Sequence, residues 1–393
     1  MKVVKAVIIA GLIGVLALGV FFAGDGYKVK EYVITFYTPE GENAYLVKTY
    51  KDGSPCNEPF KIITFTDTHL SGSMNRASDT ATLNLIRNTI VQEKPDLIVI
   101  CGDIVLGANS EPGARTLAAL FEEHNQYWGF VLGNHDGENQ FGPSREEFVE
   151  LYSSYEHCII SSAPGIWGNG NCVVNIKDSA GGIIQSLVFI DSGDYLKEDF
   201  CEEYNFEYTD DYDFIKYDQI EWYKDEMRSI AAQNGKMPPS VMFMHIPLVE
   251  YTAAYNSALS EDKVIYGMRR EEECSSPYNT GMFDAILEIG STKAVVSGHD
   301  HINDYCVEYQ GVKLLYSQSS SFGSYFMRTH VLYYSLFMMN NKNDRFSDGH
   351  TEFLIDKDGK LTITPLLNQD NPSLFEPLTQ EQKEELNLIE TLK

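Results

Sequence analysis

Cysteine is sparse in this chain and carries no pattern. Seven Cys are scattered over 393 residues with no Cys-x-x-Cys among them, which excludes a disulfide-built scaffold and leaves apolar burial to hold the fold. Positive charge is equally short: 30 Lys and Arg stand against 57 Asp and Glu, a formal net charge of −27. There is no basic stripe, and nucleic-acid binders gain most of their affinity by neutralising phosphates, so a nucleic-acid partner is disfavoured. Any small anion must be drawn in by local charge against an unfavourable global field.

What the chain does have is five short polar signatures, each closing an apolar run. Asp67-x-His69 follows residues 61–65, Gly102-Asp103 follows 96–100, and Gly133-Asn134-His135-Asp136 follows 128–132. His245 follows 241–244, and Gly298-His299-x-His301 follows 293–296. Each run is short enough to be a buried strand rather than a helix. In sheets of alternating strands and helices, ligands collect where loops leave the carboxyl ends of the strands, so five such ends can converge on one crevice. Alternation along a strand predicts that Asp67/His69 and His299/His301 project the same way, while Thr68 and Asp300 point elsewhere.

In order, spacing and neighbouring residues, these signatures resemble the calcineurin-like metallophosphoesterases, from about Phe60 to Ser321. Gly-Asn-His-Asp and Gly-His-Asp-His carry most of the specificity. The stretches His245-Ile246-Pro247-Leu248-Val249-Glu250-Tyr251 and Gly298-His299-Asp300-His301-Ile302-Asn303-Asp304-Tyr305 are similar to the small, purple-acid-phosphatase-like branch. The resemblance implies a four-layer α/β/β/α sandwich; the residue pattern by itself gives α/β.

The resemblance also implies two divalent metal ions. Asp67, His69 and His301 would hold one, Asn134, His245 and His299 the second, and Asp103 would bridge them. Asp and His suit Fe, Mn or Zn, and a metal-bridging hydroxide would then hydrolyse a phosphomonoester or small phosphodiester. Next to Asn134, His135 would stay off the metals and stabilise the transition state or protonate the leaving alkoxide, with Asp136 as its orienting partner. Two carboxylates, one amide and four neutral imidazoles around two divalent ions leave the site electropositive, which suits phosphate. One position departs from the purple acid phosphatases, which place a Tyr metal ligand three residues after the bridging Asp. Here that position is Leu106, and Ile104, Val105, Gly107 and Ala108 offer no substitute donor, so the site is expected to lack tyrosinate charge transfer and any demand for Fe(III).

Two other readings use the same motifs. One is a lipid-headgroup or nucleotide pyrophosphatase of the same superfamily. The other, from a different class, is a metal-free extracellular interaction protein on this fold.

At the N-terminus, Lys2 and Lys5 precede an uncharged apolar run over residues 6–23, the arrangement of a signal peptide or signal anchor spanning 1–27. Either form places the catalytic domain outside the cytoplasm, secreted or membrane-anchored through residues 6–23. Because the motif-bearing strands run from before Asp67 to beyond His301, residues 28–365 read as one contiguous domain. It opens with a hairpin in 28–59, whose strands 31–37 and 44–50 flank Pro39-Glu40-Gly41. Residues 78–93 carry Leu83, Ile86 and Ile90 at helical spacing, ending before Pro95.

Residues 192–218 are dense in Asp, Glu and Tyr and read as a solvated loop or as a mobile lid near the crevice. A helix over 217–232 follows. Glu250, Tyr251, Arg269, Arg270 and Asn279 fall where loops could line a substrate pocket. Either Arg269 or Arg270 would clamp phosphate, or would instead pair with Glu271 to Glu273. Strands are expected over 329–337, 351–356 and 361–365, the last two joined by an Asp358-Gly359 turn that lacks the remaining oxygens of a calcium loop. Residues 366–393 form a tail with a short helix opening at Thr379. Cys101 reads as a buried free thiol, with the other six Cys open to bridging and 15 pairings among them.

Overall fold

The computed structural model describes residues 32–71, 77–138, 140–321 and 349–367. The N-terminal apolar run, the strand expected over 329–337 and the helix opening at Thr379 lie outside them. Among the described residues no helix is long and apolar enough to cross a membrane.

Two sheets face each other. The smaller holds β3 (Phe60–Phe65), β4 (Leu97–Cys101) and β5 (Trp128–Val131), all parallel, with β12 (Gly349–Ile355) and β13 (Leu361–Leu367) added antiparallel beside β3, in the order β13-β12-β3-β4-β5. The larger sheet contains β1 (Tyr32–Tyr37), β2 (Tyr45–Tyr50), β6 (Cys172–Lys177), β7 (Ile183–Phe189), β8 (Ser240–Phe243), β9 (Thr292–Ser297), β10 (Cys306–Tyr309) and β11 (Val312–Tyr316). Its order is β1-β2-β6-β7-β8-β9-β11-β10. The expected hairpin is β1-β2, antiparallel, and it joins the larger sheet through parallel pairing of β2 with β6.

Both faces of the larger sheet are buried over its central strands, β7, β8 and β9, and strand alternation sorts their side chains between them. Val241 and Phe243, Ala294 and Val296, and Leu187 and Phe189 face the smaller sheet's core. Their neighbours Met242, Met244, Val295 and Val188 face the opposite side. There they meet α5 (Tyr217–Asn234), α6 (Glu250–Ser260) and α7 (Met282–Ile289), through Tyr223, Met227, Tyr251, Ala254 and Ile286. On the far side, α1 (Ala77–Glu93), α2 (Glu111–Glu123) and α3 (Arg145–Ser153) contribute Leu85, Ile86, Leu117, Phe121 and Phe148 to the smaller sheet's core. The result is the expected four-layer α/β/β/α sandwich. Local chemistry fixes the helix ends: a Ser144/Glu147 capping box opens α3, and Gly235 in the left-handed region stops α5.

The Asp358-Gly359 turn is present, with the Gly359 N–H on the Asp356 carbonyl at 2.9 Å. All seven cysteines are free thiols, so no bridge forms among the six left open, and five of the seven, Cys101 included, are buried.

Candidate metal centre

The five signatures come together, but from two sheets. The loops after β3, β4 and β5 supply Asp67, His69, Asp103 and Asn134, and those after β8 and β9 supply His245, His299 and His301. The crevice lies where the carboxyl ends of the two parallel sets meet.

Strand alternation is not what aligns the pairs. Asp67 (φ 53°), His69 (φ 45°), Asp103 (φ 48°) and His299 (φ 78°) all lie beyond their strands in the left-handed region, which Asp and His enter more readily than most residues. Two of these loops are zipped together: Asp67 N–H donates to the Gly102 carbonyl at 3.0 Å, His69 N–H to that of Asp103 at 3.0 Å, and Leu70 N–H to that of Ile104 at 2.9 Å. Thr68 and Asp300 do turn away, to the Ile104 carbonyl and to Tyr316 and the Cys274 N–H respectively. The motif glycines answer to close approach. Gly102 has φ +91° and a side chain there would run into His245, and one at Gly133 would run into Asp103.

Two groups of donor atoms share Asp103. Asp67, His69, Asp103 and His301 place ligand atoms within 4.8 Å of one another, and Asp103, His245 and His299 form the second group under the same limit. Asn134, which the resemblance assigns to the second, donates through Nδ2 to Tyr195 at 3.0 Å, leaving Oδ1 buried with no hydrogen-bond partner. His299 Nε2 is likewise buried and unpartnered, and Asp103 Oδ2 faces His245 Nε2 at 3.2 Å without making a hydrogen bond. His245 Nδ1 donates to the Cys101 carbonyl at 2.7 Å, which fixes the tautomer and frees Nε2. Buried acceptors this numerous and this poorly satisfied fit a pair of cations.

The electrostatics divide the four imidazoles, with His69 and His299 lowered and, against burial, His245 and His301 raised by the carboxylates they face. Burial pushes His69 down to about 4 and His299 down to about 3, so both are neutral donors. Burial opposes ionisation of Asp67 and Asp103 as well, but the surrounding imidazoles, His301 for Asp67 and His245 for Asp103, hold both carboxyls below the ordinary range. For His245 the effect of burial is outweighed by Asp103, which raises it to about 9.

His135 opens a single 3-10 turn and is more exposed than any of the seven expected ligands, all of which are buried. Its N–H donates to Asp103 Oδ1 at 2.9 Å, its Nδ1 lies 2.6 Å from Glu138 Oε2, and its Nε2 lies 4.0 Å from Asp103 Oδ2. The orienting carboxylate is therefore Glu138. Asp136, expected in that role, instead accepts the Gly133 N–H at 2.8 Å and the Val105 N–H at 3.0 Å, because the turn directs its buried side chain back into the protein.

The expected substrate residues scatter. A crevice of about 50 Å³ over the donors has Tyr212, Glu271, Cys274 and His135 in its wall and neither Arg269 nor Arg270. Arg269 pairs with Glu273, one of the expected carboxylates, and Arg270 with Asp304, which was not among them; neither is placed as a phosphate clamp. Tyr251 has no exposed surface; it sits on the buried face of α6 and donates to the Val295 carbonyl at 2.9 Å. Glu250 and Asn279 bond to each other at 2.6 Å and line a separate cavity of about 30 Å³.

Sequence reasoning missed Glu138, Ser192, Tyr195, Tyr212 and Arg145. The tyrosines lie in the Tyr-rich acidic stretch, which was a signal of sorts, and Glu138 follows His135 by one turn. Arg145, bonded to the Gly133 carbonyl and Asp191, has no local signature.

Two facing sheets, with two donor groups sharing one carboxylate at their common edge, define a metallophosphoesterase centre. The chain belongs to the calcineurin-like phosphoesterase family, whose pattern matches residues 60–303. Its relatives include two Arabidopsis thaliana proteins that carry the names probable inactive purple acid phosphatase 14 and 29. The first is 30% identical over 300 residues, covering 68% of this chain and 71% of the relative. The second is 27% identical over 301 residues, covering 68% and 74%. Among solved structures, a dimetal phosphatase from Danio rerio is similar at 13% identity, covering 67% of this chain and 88% of that one with a TM-score of 0.46.

Proposed function

We propose that this chain is an exported dinuclear-metal phosphoesterase that hydrolyses phosphomonoesters or small phosphodiesters. The observation that carries the reading is the sharing of Asp103 by two donor groups, with His135 Nε2 turned toward the same carboxylate. All seven ligand positions are filled, in a chain whose relatives include proteins named as inactive.

Two divalent ions held there would supply the positive charge that binds phosphoryl oxygens and the acidity that makes hydroxide available near neutral pH. Asp103 and Asn134 hold their donor oxygens in place, fixed by the His135 N–H and by Tyr195 respectively. His135 keeps Nδ1–H on Glu138, so the second proton of the imidazolium form sits on Nε2, the atom from which it can pass to the departing alkoxide. Among the described residues the crevice wall contains no Lys or Arg and presents Glu271 and Tyr212. With a net charge of −27, that wall favours a small ester over a polyanion. Residues 1–27 would direct export or anchor the chain.

The test is metal analysis of the full chain beside hydrolysis of p-nitrophenyl phosphate and its bis ester with Mn, Zn or Fe added. Close to two metals per chain with ester turnover is the expected result, and His135→Ala should lose about a hundredfold to ten-thousandfold in kcat while keeping its metals. A wild-type chain without metal and without turnover would favour a binding platform on this fold.

A further inference from the structure

Residues 192–213 leave the larger sheet after β7, and their contacts fall on one half of the metal centre. Ser192 Oγ accepts the backbone N–H of His245 at 3.3 Å and of Ile246 at 2.9 Å. The Tyr195 phenol accepts from Asn134 Nδ2 at 3.0 Å and donates to Glu138 Oε1 at 2.5 Å. Tyr212 stands edge-on to the His299 ring, with centroids 4.3 Å apart and planes at 90°. One segment thus touches Asn134, His245 and His299, the three residues that complete the second donor group with Asp103. In the first group, Asp67 takes the Thr66 hydroxyl at 2.8 Å and the His69 N–H is held by the Asp103 carbonyl.

The segment is braced by its own contacts rather than being an open solvated loop. Tyr195 and Tyr212 form an isolated antiparallel bridge, their rings stack with centroids 5.7 Å apart, and Leu196 N–H donates to the Asp211 carbonyl at 3.0 Å. At its far end Asp213 pairs with the buried Lys216, whose ammonium lies 4.3 Å from the Trp167 ring centroid and 3.7 Å from that of Phe214. Helix α4 (Glu198–Tyr204) fills the middle.

We infer that residues 192–213 set the affinity of the Asn134/His245/His299 metal site selectively, with Ser192, Tyr195 and Tyr212 as positioning residues. The inference rests on the two-metal part of the function proposed above. Partners behind the ligands fix ligand orientation. Tyr195 decides which end of the Asn134 amide faces the metal, Ser192 anchors the backbone that carries His245, and Tyr212 packs the His299 ring.

Equilibrium dialysis of the full chain against Mn2+, with metal analysis, tests this. His69→Ala and His299→Ala first assign the two binding classes. Tyr195→Phe, which keeps the ring, and Ser192→Ala should each weaken the class lost in His299→Ala by about tenfold to a hundredfold, leaving the other within about twofold. Tyr208→Phe, an exposed position on the same segment, should match wild type. Equal weakening of both classes, no weakening of either, or a single class in the wild type would overturn the inference. Ester turnover is read on the same samples. Selective loss without wild-type turnover would sink the phosphoesterase reading alone, and turnover without selective loss would sink this inference alone.

Discussion

Glu138 holds its Oε2 2.6 Å from Nδ1 of His135. An ionised carboxylate only accepts, so Nδ1 keeps its proton on Glu138, and the second proton of the imidazolium sits on Nε2, facing the centre. Glu138→Gln should lower kcat by about tenfold to a hundredfold, part of what a general acid supplies, with metal content unchanged. The loss should be larger for an alkyl phosphate than for p-nitrophenyl phosphate, whose leaving group needs little protonation. An equal loss on both esters would count against the proton-donor role.

Asp136 supports the centre from behind. Burial and then the charge of Asp103 push its pKa up to about 7, while the Gly133 and Val105 amides pull the other way. Asp136→Asn leaves one of those buried N–H groups facing an NH2, which should cost about 1–3 kcal/mol in a urea melt. An unchanged midpoint would show that the loop carries this contact without strain.

Gly133→Ala tests the shared ligand. The added methyl would meet the carboxylate and N–H of Asp103, and overpacking of this kind costs about 1–3 kcal/mol. Because Asp103 belongs to both donor groups, both metals should be lost together in metal analysis; selective loss of one would mean that Asp103 can shift without leaving the other.

The ligands were legible because their identities and order survive as short words at the ends of apolar runs. Strand alternation is not what aligns them, since Asp67, His69 and His299 reach the site from left-handed loop positions that it does not describe. Strands β6, β7, β10 and β11 carry no motif, and with largely buried positions they lack a clear apolar-polar alternation. Tyr251 was readable and misread: Tyr251, Ala254, Tyr255 and Ala258 repeat at helical spacing and form the buried face of α6. Tyr195 reaches Asn134 across 61 residues, a pairing that no local pattern encodes.

His350 offers a pH test away from the metal ligands. It is buried on β12 against Phe65, with ring centroids 5.6 Å apart, and neither ring nitrogen has a hydrogen-bond partner. Burial, with a smaller push from Lys61, lowers it to about 4 from an ordinary 6.5. Between those values the unfolded chain binds a proton that the folded chain refuses, so stability falls as pH drops from 6.5 toward 4, by at most about 1.4 kcal/mol per pH unit. His350→Phe removes that linkage and leaves no unpaired ring nitrogen, so it should melt no lower than wild type at pH 7 and should gain on it steadily as the pH is lowered to 4.5. Parallel stability-against-pH curves for the two proteins would mean that the imidazole gains a proton or a water partner inside the fold.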